Sequence, residues 1–266
     1  MLKKGLLILA DLLLAVYLVF SFSAFNKPEK KHNLCKTVNI VVADELTNGF
    51  IGANEVEKRL KSSRLYPVGK YLEDVNCRKI EEMLMRTPFV RTADCYKNQV
   101  GELTVKITQR LPLVRIKTAN GDDYYIDEKD CIMPNTDFTS DIIIATGNIS
   151  RSYAVTYISP LVRILHSDDL YRNMFEQINV THDMGIELIP RVGDHVVYIG
   201  HLPKVAARSA VDATLSEYMN PKLSRLVTFY KYGLGVAGWN KYSEISLEFD
   251  NQIVCKKKEI KKQDTI

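Results

Sequence analysis

The sequence predicts an α+β protein that begins with a single transmembrane helix, and three observations lead to this prediction. Residues 5–25 are predominantly apolar and contain one ionisable group. Residues 37–111 alternate between strand and helix patterns in the order β-α-α-β-β. Residues 112–256 form a β-rich region of short strands with helical stretches between them. We expect the helices of this second region to pack on an antiparallel sheet.

The apolar segment 5–25 has 21 residues, so a helix of about 1.5 Å per residue would extend roughly 31 Å and match a bilayer core. A cleaved signal peptide with a small-x-small site at residues 21–23 is the alternative. The length of the apolar run favours a retained anchor, with residues 1–4 as a cytoplasmic head and the body exported. Asp11 predicts either a transmembrane contact with a partner helix or local water around its carboxylate.

The net charge of +4 is concentrated at the chain ends. Residues 1–36 carry six Lys against two acidic residues, and residues 256–266 carry five Lys against two. The body between them therefore carries −3. Because phosphate recognition needs a dense basic face, we predict no nucleic-acid partner. Residues 26–36 are a polar linker, and residues 257–266 are a basic tail.

Two helices are expected in residues 37–111, after a first strand at residues 37–43. Asn54 and Glu57 form a capping-box-like pair that predicts a helix start, with Val56 and Leu60 on one face. A second helix begins at about residue 75 and stops before Pro88. Its apolar stripe consists of Cys77, Ile80, Met83 and Leu84.

Two further strands complete this module at residues 89–97 and 102–108, with a turn at residues 98–101. Leu103, Val105 and Ile107 alternate with polar residues, so they share one strand face. We expect that face to lie against the two helices. A module of this size buries a core when both helices cover the same side of the sheet.

Beyond Pro112 the pattern predicts more strands than helices. Helical stretches are expected at residues 153–166, 170–176 and 204–219. Short strands are expected at residues 113–117, 124–127, 142–145, 177–180, 186–190 and 196–200. The final element is a predicted hairpin, with strands 243–249 and 252–256 joined by a two-residue turn at Asp250-Asn251.

Motifs for catalysis or cofactor binding are weak. Residues 233–238 fit GxGxxG, but a strand and only 28 residues follow, whereas a dinucleotide site needs a helix inside a βαβ unit. The five His form no HxxxH pair, and no serine-nucleophile motif occurs. The five Cys match no metal spacing and are expected mostly as small buried residues. We predict no enzyme activity, no cofactor, no metal and no small-molecule substrate.

Several short motifs, each marking the entrance or the end of a predicted element, occur in an order that resembles the bacterial cell-division family FtsQ (DivIB). Residues 230–242 and the Lys-rich tail are similar to the Bacteroidetes versions, and the β-α-α-β-β module resembles a POTRA domain. The motifs are Pro88-Phe89-Val90, Gly101-Glu102-Leu103-Thr104-Val105, Arg110-Leu111-Pro112, Tyr125-Ile126-Asp127, and Trp239 ahead of Ile245-Ser246-Leu247-Glu248-Phe249.

This resemblance implies a non-enzymatic inner-membrane scaffold of the division septum, with a periplasmic body. It implies partners of the FtsB (DivIC) and FtsL coiled-coil types, among other divisome proteins, and a role in linking early and late division proteins and regulating septal peptidoglycan synthesis. The alternative is a POTRA-containing accessory of polypeptide export or outer-membrane assembly. Such a protein would show repeated POTRA units or a membrane barrel, and the sequence shows neither pattern.

The resemblance also implies that the last strand accepts an added strand from a partner, in agreement with the physics of an open sheet edge. Lys256 and its neighbours would discourage indiscriminate pairing and favour an acidic partner. An edge already covered by an internal loop is the alternative. The candidate partner-binding residues are Tyr242, Ile245, Leu247, Phe249, Gln252, Ile253, Val254, Cys255 and Lys256.

Overall fold

The computed structural model describes residues 2–25, 33–43, 50–98, 100–136 and 141–259, with the side chains of residue 5 and residues 9–22 described in the first helix. Most of the predicted linker and the end of the predicted basic tail lie outside these ranges. Helix α1 is Leu2–Phe25, and Asp11 is exposed on it. Among the described residues, no helix is both long and apolar enough to cross a membrane. The anchor therefore stays a prediction.

The amino-terminal module (residues 33–109) contains a three-stranded sheet with two helices on one face. Its helices are α2 (Ala53–Ser62) and α3 (Cys77–Met85). Strand β3 (Glu102–Gln109) lies in the middle, parallel to β1 (Thr37–Val42) and antiparallel to β2 (Val90–Lys97).

The predicted inward face of β3 is confirmed, because Leu103, Val105 and Ile107 are all fully buried. They belong to one core cluster with the four apolar helix residues Val56, Leu60, Ile80 and Leu84. Cys77 and Met83, also expected on the α3 stripe, are only half-buried at its margin.

The predicted capping role of Asn54 is wrong. Helix α2 begins at Ala53, two residues before the start that an Asn54 cap implies, and Gly52 is its N-cap with no side-chain bond. The Gly52 carbonyl accepts the amide hydrogens of Glu55 and Val56, so the first turn closes without a polar side chain. Helix α3 does have such a cap, because Asn76 Oδ1 accepts the Lys79 amide hydrogen at 3.0 Å.

The carboxy-terminal domain (residues 111–257) is built on a nine-stranded sheet. The sheet order is β12-β11-β10-β9-β8-β7-β4-β5-β6. The strands are β4 (Pro112–Thr118), β5 (Asp123–Asp127), β6 (Ile132–Pro134), β7 (Ile143–Gly147), β8 (Phe175–Val180), β9 (Gly185–Pro190), β10 (Val196–His201), β11 (Tyr242–Ser246) and β12 (Val254–Lys257).

The sheet is mixed, so the prediction of an antiparallel sheet is wrong. Strands β4 and β7, β7 and β8, and β10 and β11 pair in parallel. The reason is connectivity: helices link β7 to β8 and β10 to β11, and a helical crossover returns the chain in the same direction. The first crossover contains α4 (Arg151–Tyr153), a π turn (Ala154–Ile158), α5 (Ser159–His166) and α6 (Asp169–Met174).

The second crossover is longer than its predicted span of 204–219. It contains a 3₁₀ turn (Arg208–Ala210), α7 (Val211–Phe229), a π turn (Tyr230–Leu234) and α8 (Gly235–Ala237). Pro221 lies inside α7 but is exposed, and residues 233–237 of the glycine-rich segment are helical. Buried Leu223, Leu226 and Leu234 hold the helix on the sheet, and this packing outweighs the local cost of Pro and Gly.

The carboxy-terminal hairpin also differs from its prediction. Strand β11 ends at Ser246 and β12 starts at Val254, so residues 247–253 connect the strands instead of a two-residue turn. The Leu247 amide donates to the Tyr198 carbonyl of β10 at 2.7 Å. Leu247 is therefore still hydrogen-bonded to β10, so the chain continues along β10 beyond the end of β11 before it turns back into β12.

The three-stranded sheet and the nine-stranded sheet contact each other through a small set of side chains. Tyr125 and Met133 belong to the large sheet but are buried in the core of the amino-terminal module. The Tyr125 ring packs edge-on against Phe50 with centroids 5.2 Å apart. Arg110 Nη1 donates to Asp127 Oδ2 at 2.9 Å across the same boundary. The two domains therefore share core residues and a half-buried ion pair.

We expect Val105→Asp to destabilise the protein by at least about 3 kcal/mol, because it places an unpaired charge in the module core. Urea denaturation measures the loss. The matched control is Val100→Asp, since Val100 is 76% exposed and should tolerate the same change within about 0.5 kcal/mol. Equal stability of the two variants would refute the assigned face.

Candidate partner-binding edge

Strand β12 is the last strand of the nine-stranded sheet, and it pairs only with β11 among the described residues. The register joins Ser246 to Val254 and Ile245 to Cys255 in antiparallel fashion. One side of β12 is thus an open row of backbone donors and acceptors. We call β12 together with the connection 247–253 the carboxy-terminal edge. Such an edge can pair with an extended segment of another chain.

Three of the candidate partner-binding residues lie on β11 or directly after it, and they pack in the domain interior. Ile245 and Leu247 are fully buried, so their side chains pack in the domain core. Tyr242 is half-buried, and its ring lies 6.3 Å from the Phe229 ring of α7. These three residues hold the edge on the helix layer and have little surface to offer a partner.

The predicted residues of the connection and β12 alternate between the core and the solvent. Ile253 and Cys255 are partly buried and pack against the core, and burial raises the pKa of the Cys255 thiol. The other predicted residues are exposed: Phe249 at 53%, Val254 at 51%, and both Gln252 and Lys256. Ile253 and Cys255 therefore lie on one face of the chain and Val254 on the other. The surface that a partner side chain can reach centres on Phe249 and Val254.

The carboxy-terminal edge carries positively charged side chains along β12. Lys256 and Lys257 are exposed on β12, while Lys258 is held by Asp194, with Nζ 3.1 Å from Oδ2. Residues 260–266, the remainder of the predicted tail, lie outside the described residues. The described part of the edge therefore offers two exposed ammonium groups next to an open backbone row.

A buried lysine anchors the chain where it leaves β11. Lys222 is only 1% exposed, and its Nζ donates to the carbonyls of Leu247 at 2.6 Å and Glu248 at 2.7 Å. The same Nζ lies 4.6 Å from the centroid of the Tyr218 ring, one helical turn earlier on α7. Burial lowers the pKa of Lys222, and the nearby carboxylate of Asp250 partly opposes this.

Sequence reasoning missed Lys222 because the predicted helix ended at residue 219. A signal was present: Leu215, Met219, Lys222 and Leu226 follow one another at intervals of four, three and four residues. This spacing places all four on the same helix face. A lysine in such an apolar stripe indicates a buried ammonium with a specific acceptor.

A cleft of about 520 Å³ lies between α7 and the connection, lined by Arg225, Tyr218, Glu217 and Asp250 among others. Within the described part of the chain, Arg225 Nε and Nη2 are buried and have no hydrogen-bond partner. Sequence reasoning also missed Arg225, which lies beyond the predicted helix end. Its guanidinium therefore has hydrogen-bond donors that are still unused, next to the carboxy-terminal edge.

His195 lies directly before β10, and its side chain contacts Tyr230 of the π turn that follows α7. It is 2% exposed, and its Nε2 lies 2.6 Å from the Tyr230 hydroxyl oxygen. The Tyr230 ring packs on Trp239 with centroids 5.1 Å apart. Burial, and secondarily the charge of Lys258, lowers the pKa of His195, so its imidazole is neutral at pH 7.

The described residues contain no cluster of three His, Cys, Asp or Glu side chains suited to a metal ion. The GxGxxG segment forms a π turn and a short helix, with no preceding strand in a βαβ arrangement. The open backbone row of β12 has the geometry that main-chain pairing with an extended segment requires.

Lys222→Met should lower the free energy of unfolding by about 2–4 kcal/mol, because it leaves two carbonyls of the connection without their donor. Chemical denaturation measures this loss. The control is Lys231→Met on an exposed lysine of the following turn, which should change stability by less than about 0.5 kcal/mol. Indistinguishable denaturation curves for both variants would contradict the anchoring role.

Stability should fall as the pH drops from 7.5 to 5, and His195 should account for part of that slope. Its pKa in the folded protein lies below the ordinary 6.5, so below pH 6.5 the unfolded chain binds a proton that the folded protein does not. His166, whose pKa burial also lowers, contributes in the same direction. Unfolding free energies at each pH should give a flatter profile for His195→Phe and an unchanged one for exposed His182→Phe. An unchanged slope in His195→Phe would refute this assignment.

Comparison with known families supports the resemblance seen in the sequence. Residues 33–108 match the family described as POTRA-like domain, and residues 111–256 match the family described as FtsQ/DivIB, C-terminal related. No individual curated protein matches the chain at a significant level. The second match covers more than half of the 266 residues and includes the carboxy-terminal edge. The chain therefore belongs to the FtsQ/DivIB family of cell-division proteins, with a POTRA-like domain ahead of its C-terminal-related domain.

Proposed function

We propose that this protein is a single-pass inner-membrane scaffold that links early and late division proteins at the septum and regulates septal peptidoglycan synthesis. The family supports a division-related scaffold role in general. The apolar run at residues 5–25 supports an anchor, with residues 1–4 in the cytoplasm and the body in the periplasm. Asp11 would then contact a partner helix within the bilayer.

The observation that carries this proposal is the open carboxy-terminal edge. A partner strand laid along β12 would extend the nine-stranded sheet by one strand through main-chain hydrogen bonds. Exposed Val254 and Phe249 would supply side-chain contacts next to that strand. Core packing of Ile253 and Cys255 keeps β12 in a fixed register, so the partner meets a preorganised template.

The charge at the edge favours an acidic partner segment. Lys256 and Lys257 are exposed on β12, and the Arg225 guanidinium lies in the neighbouring cleft. Lysines on an edge strand disfavour pairing with a second copy of the same basic edge. We propose the FtsB (DivIC) type coiled-coil protein as the strand donor and an FtsL-type protein as its companion in the complex.

Val254→Pro should reduce capture of the FtsB-type protein from the same cell at least about tenfold, because proline removes a backbone donor and fixes φ in β12. Pull-down with the purified full-length protein in detergent measures capture. Truncation after Asp250 removes the whole strand and should abolish it. Thermal denaturation confirms that the amino-terminal module remains folded in both.

A charge variant separates backbone pairing from electrostatics. Lys256→Glu combined with Lys257→Glu should weaken capture and reduce its salt dependence, while Lys231→Glu at an exposed position outside the edge should leave capture unchanged. Unchanged capture by both Val254→Pro and the truncated protein would exclude the edge as the partner site.

A further inference from the structure

The chain enters the amino-terminal module through residues 33–36, which run between two other segments. On one side Leu34 pairs with Tyr71 in an isolated antiparallel bridge. On the other side the Lys36 amide donates to the Gly101 carbonyl at 2.7 Å. Main-chain pairing therefore fixes both segments to the entering chain. We call the three segments together the entry end of the module: residues 33–36, 68–72 and 100–101.

A glycine permits the close approach on one of these sides. Gly101 has a φ of +99°, and a Cβ atom there would lie 2.8 Å from the Leu34 carbonyl oxygen. A larger residue would therefore strain the backbone and push residues 100–101 away from the entering chain. The packing of the entry end thus depends on the glycine that opens one of the motifs of the family resemblance.

Four large apolar side chains are exposed at the entry end. Val100 is the most exposed of them at 76%, and Leu34, Val68 and Tyr71 are each exposed to 40–47%. They come from three separate segments that are bonded side by side, so they form a patch and are not scattered singly. An exposed apolar patch with a polar rim is typical of a surface that contacts a protein or a membrane.

Charged side chains surround this apolar patch. Lys36 and Lys70 are exposed within the entry end, and the Lys70 Nζ donates to the carbonyl of exposed Arg64 at 3.0 Å. The exposed pair Glu73-Asp74 offsets part of this positive charge. Residues 26–32, which lie outside the described residues, add three Lys and one Glu immediately before the patch. Apolar side chains next to lysines suit the boundary between acyl chains and anionic headgroups.

The short linker favours a membrane over a protein as the occupant of this patch. Helix α1 ends at Phe25 and the entry end begins at Asn33, so seven residues join them. A fully extended chain of that length covers only about 25–30 Å. The headgroup region extends roughly 5–7 Å beyond the bilayer core on each side. The proposed anchor would therefore hold the entry end close to the headgroups, which the linker is long enough to let it touch.

We propose that the entry end of the POTRA-like domain docks on the anionic lipid surface of the membrane that holds the anchor. Val100 and Tyr71 insert at the boundary between headgroups and acyl chains, and Lys36 and Lys70 bind lipid phosphates. This inference rests on the proposed anchor and adds a second contact with the bilayer. Because Tyr125 of the large sheet is buried in the module core, the contact also orients the carboxy-terminal edge relative to the membrane.

Single-tryptophan variants of the full-length protein test this contact. Trp239 is the one Trp of the chain, so Trp239→Phe provides a background for one reporter at a time. The protein is reconstituted into vesicles of phosphatidylethanolamine and phosphatidylglycerol, with or without bromine on the acyl chains near the headgroups. Val100→Trp should lose at least about half of its emission in the brominated vesicles. The matched control is Met85→Trp, which should keep its emission because Met85 is 48% exposed at the far end of α3.

A reporter in the anchor separates this contact from the anchor itself. Leu13→Trp should be quenched when α1 lies in the bilayer, whatever the entry end does. Quenching of Leu13→Trp without quenching of Val100→Trp overturns the contact alone and leaves a protein as the occupant of the patch. Absence of quenching in both variants overturns the anchor as well. Equal quenching of Val100→Trp and Met85→Trp also overturns the assignment to the entry end.

A charge variant tests the lipid headgroups as the ligand. Lys36→Glu combined with Lys70→Glu should reduce the quenching of Val100→Trp at least about twofold, because both lysines would then repel phosphatidylglycerol. The same pair of changes should leave the quenching of Leu13→Trp unaltered. Replacing phosphatidylglycerol with phosphatidylcholine should have the same effect as the charge variant. Quenching of Val100→Trp that ignores both changes would overturn the anionic surface as the ligand.

Discussion

The carboxy-terminal edge depends on one buried ammonium group. Lys222 binds two consecutive carbonyls directly after β11 and connects the helix layer to the last hairpin. Burying a charge costs several kcal/mol unless its hydrogen bonds are made, so the Lys222 side chain strongly favours one path for the chain at Leu247 and Glu248. That path keeps Leu247 on β10, ends the β11–β12 ladder, and leaves residues 247–253 as the wall of the cleft beside the edge.

A second constraint sets the relation between the two domains. The Arg110–Asp127 ion pair and the Tyr125 ring join them through residues of two short motifs that carried the family resemblance. Asp127 also accepts the amide hydrogens of Lys129 and Cys131, so the same carboxylate shapes the turn before β6. The motifs Arg110-Leu111-Pro112 and Tyr125-Ile126-Asp127 thus have a structural role in orienting the POTRA-like domain on the large sheet.

The sequence predicted elements where local periodicity and burial agree. Alternation along β3 correctly identified Leu103, Val105 and Ile107 as core residues, and the position of the last hairpin was close to its true place. Features that depend on distant contacts were not predictable in this way. The parallel pairing of β10 with β11 depends on a crossover helix, and that helix continues past Pro221 because of packing against the sheet.

The carboxy-terminal edge shows the same contrast between features that local periodicity predicts and features that depend on distant contacts. Exposed Val254 and partly buried Cys255 follow from strand alternation, whereas the seven-residue connection does not follow from a turn-like Asp250-Asn251 pair. Lys222 and Arg225 could have been found by extending the helical stripe through Pro221. The predicted helix ended at residue 219 and so left out both residues, although an exposed proline in a long helix is tolerated when packing compensates.

The central claim is that a partner adds a strand to β12. Hydrogen–deuterium exchange of the full-length protein, with and without the FtsB-type partner, tests this claim directly. The account predicts slower exchange of the amides in residues 252–257, with the buried face of α7 unchanged, because only the outer edge gains hydrogen bonds. Protection confined to the POTRA-like domain, with no change in β12, would contradict it.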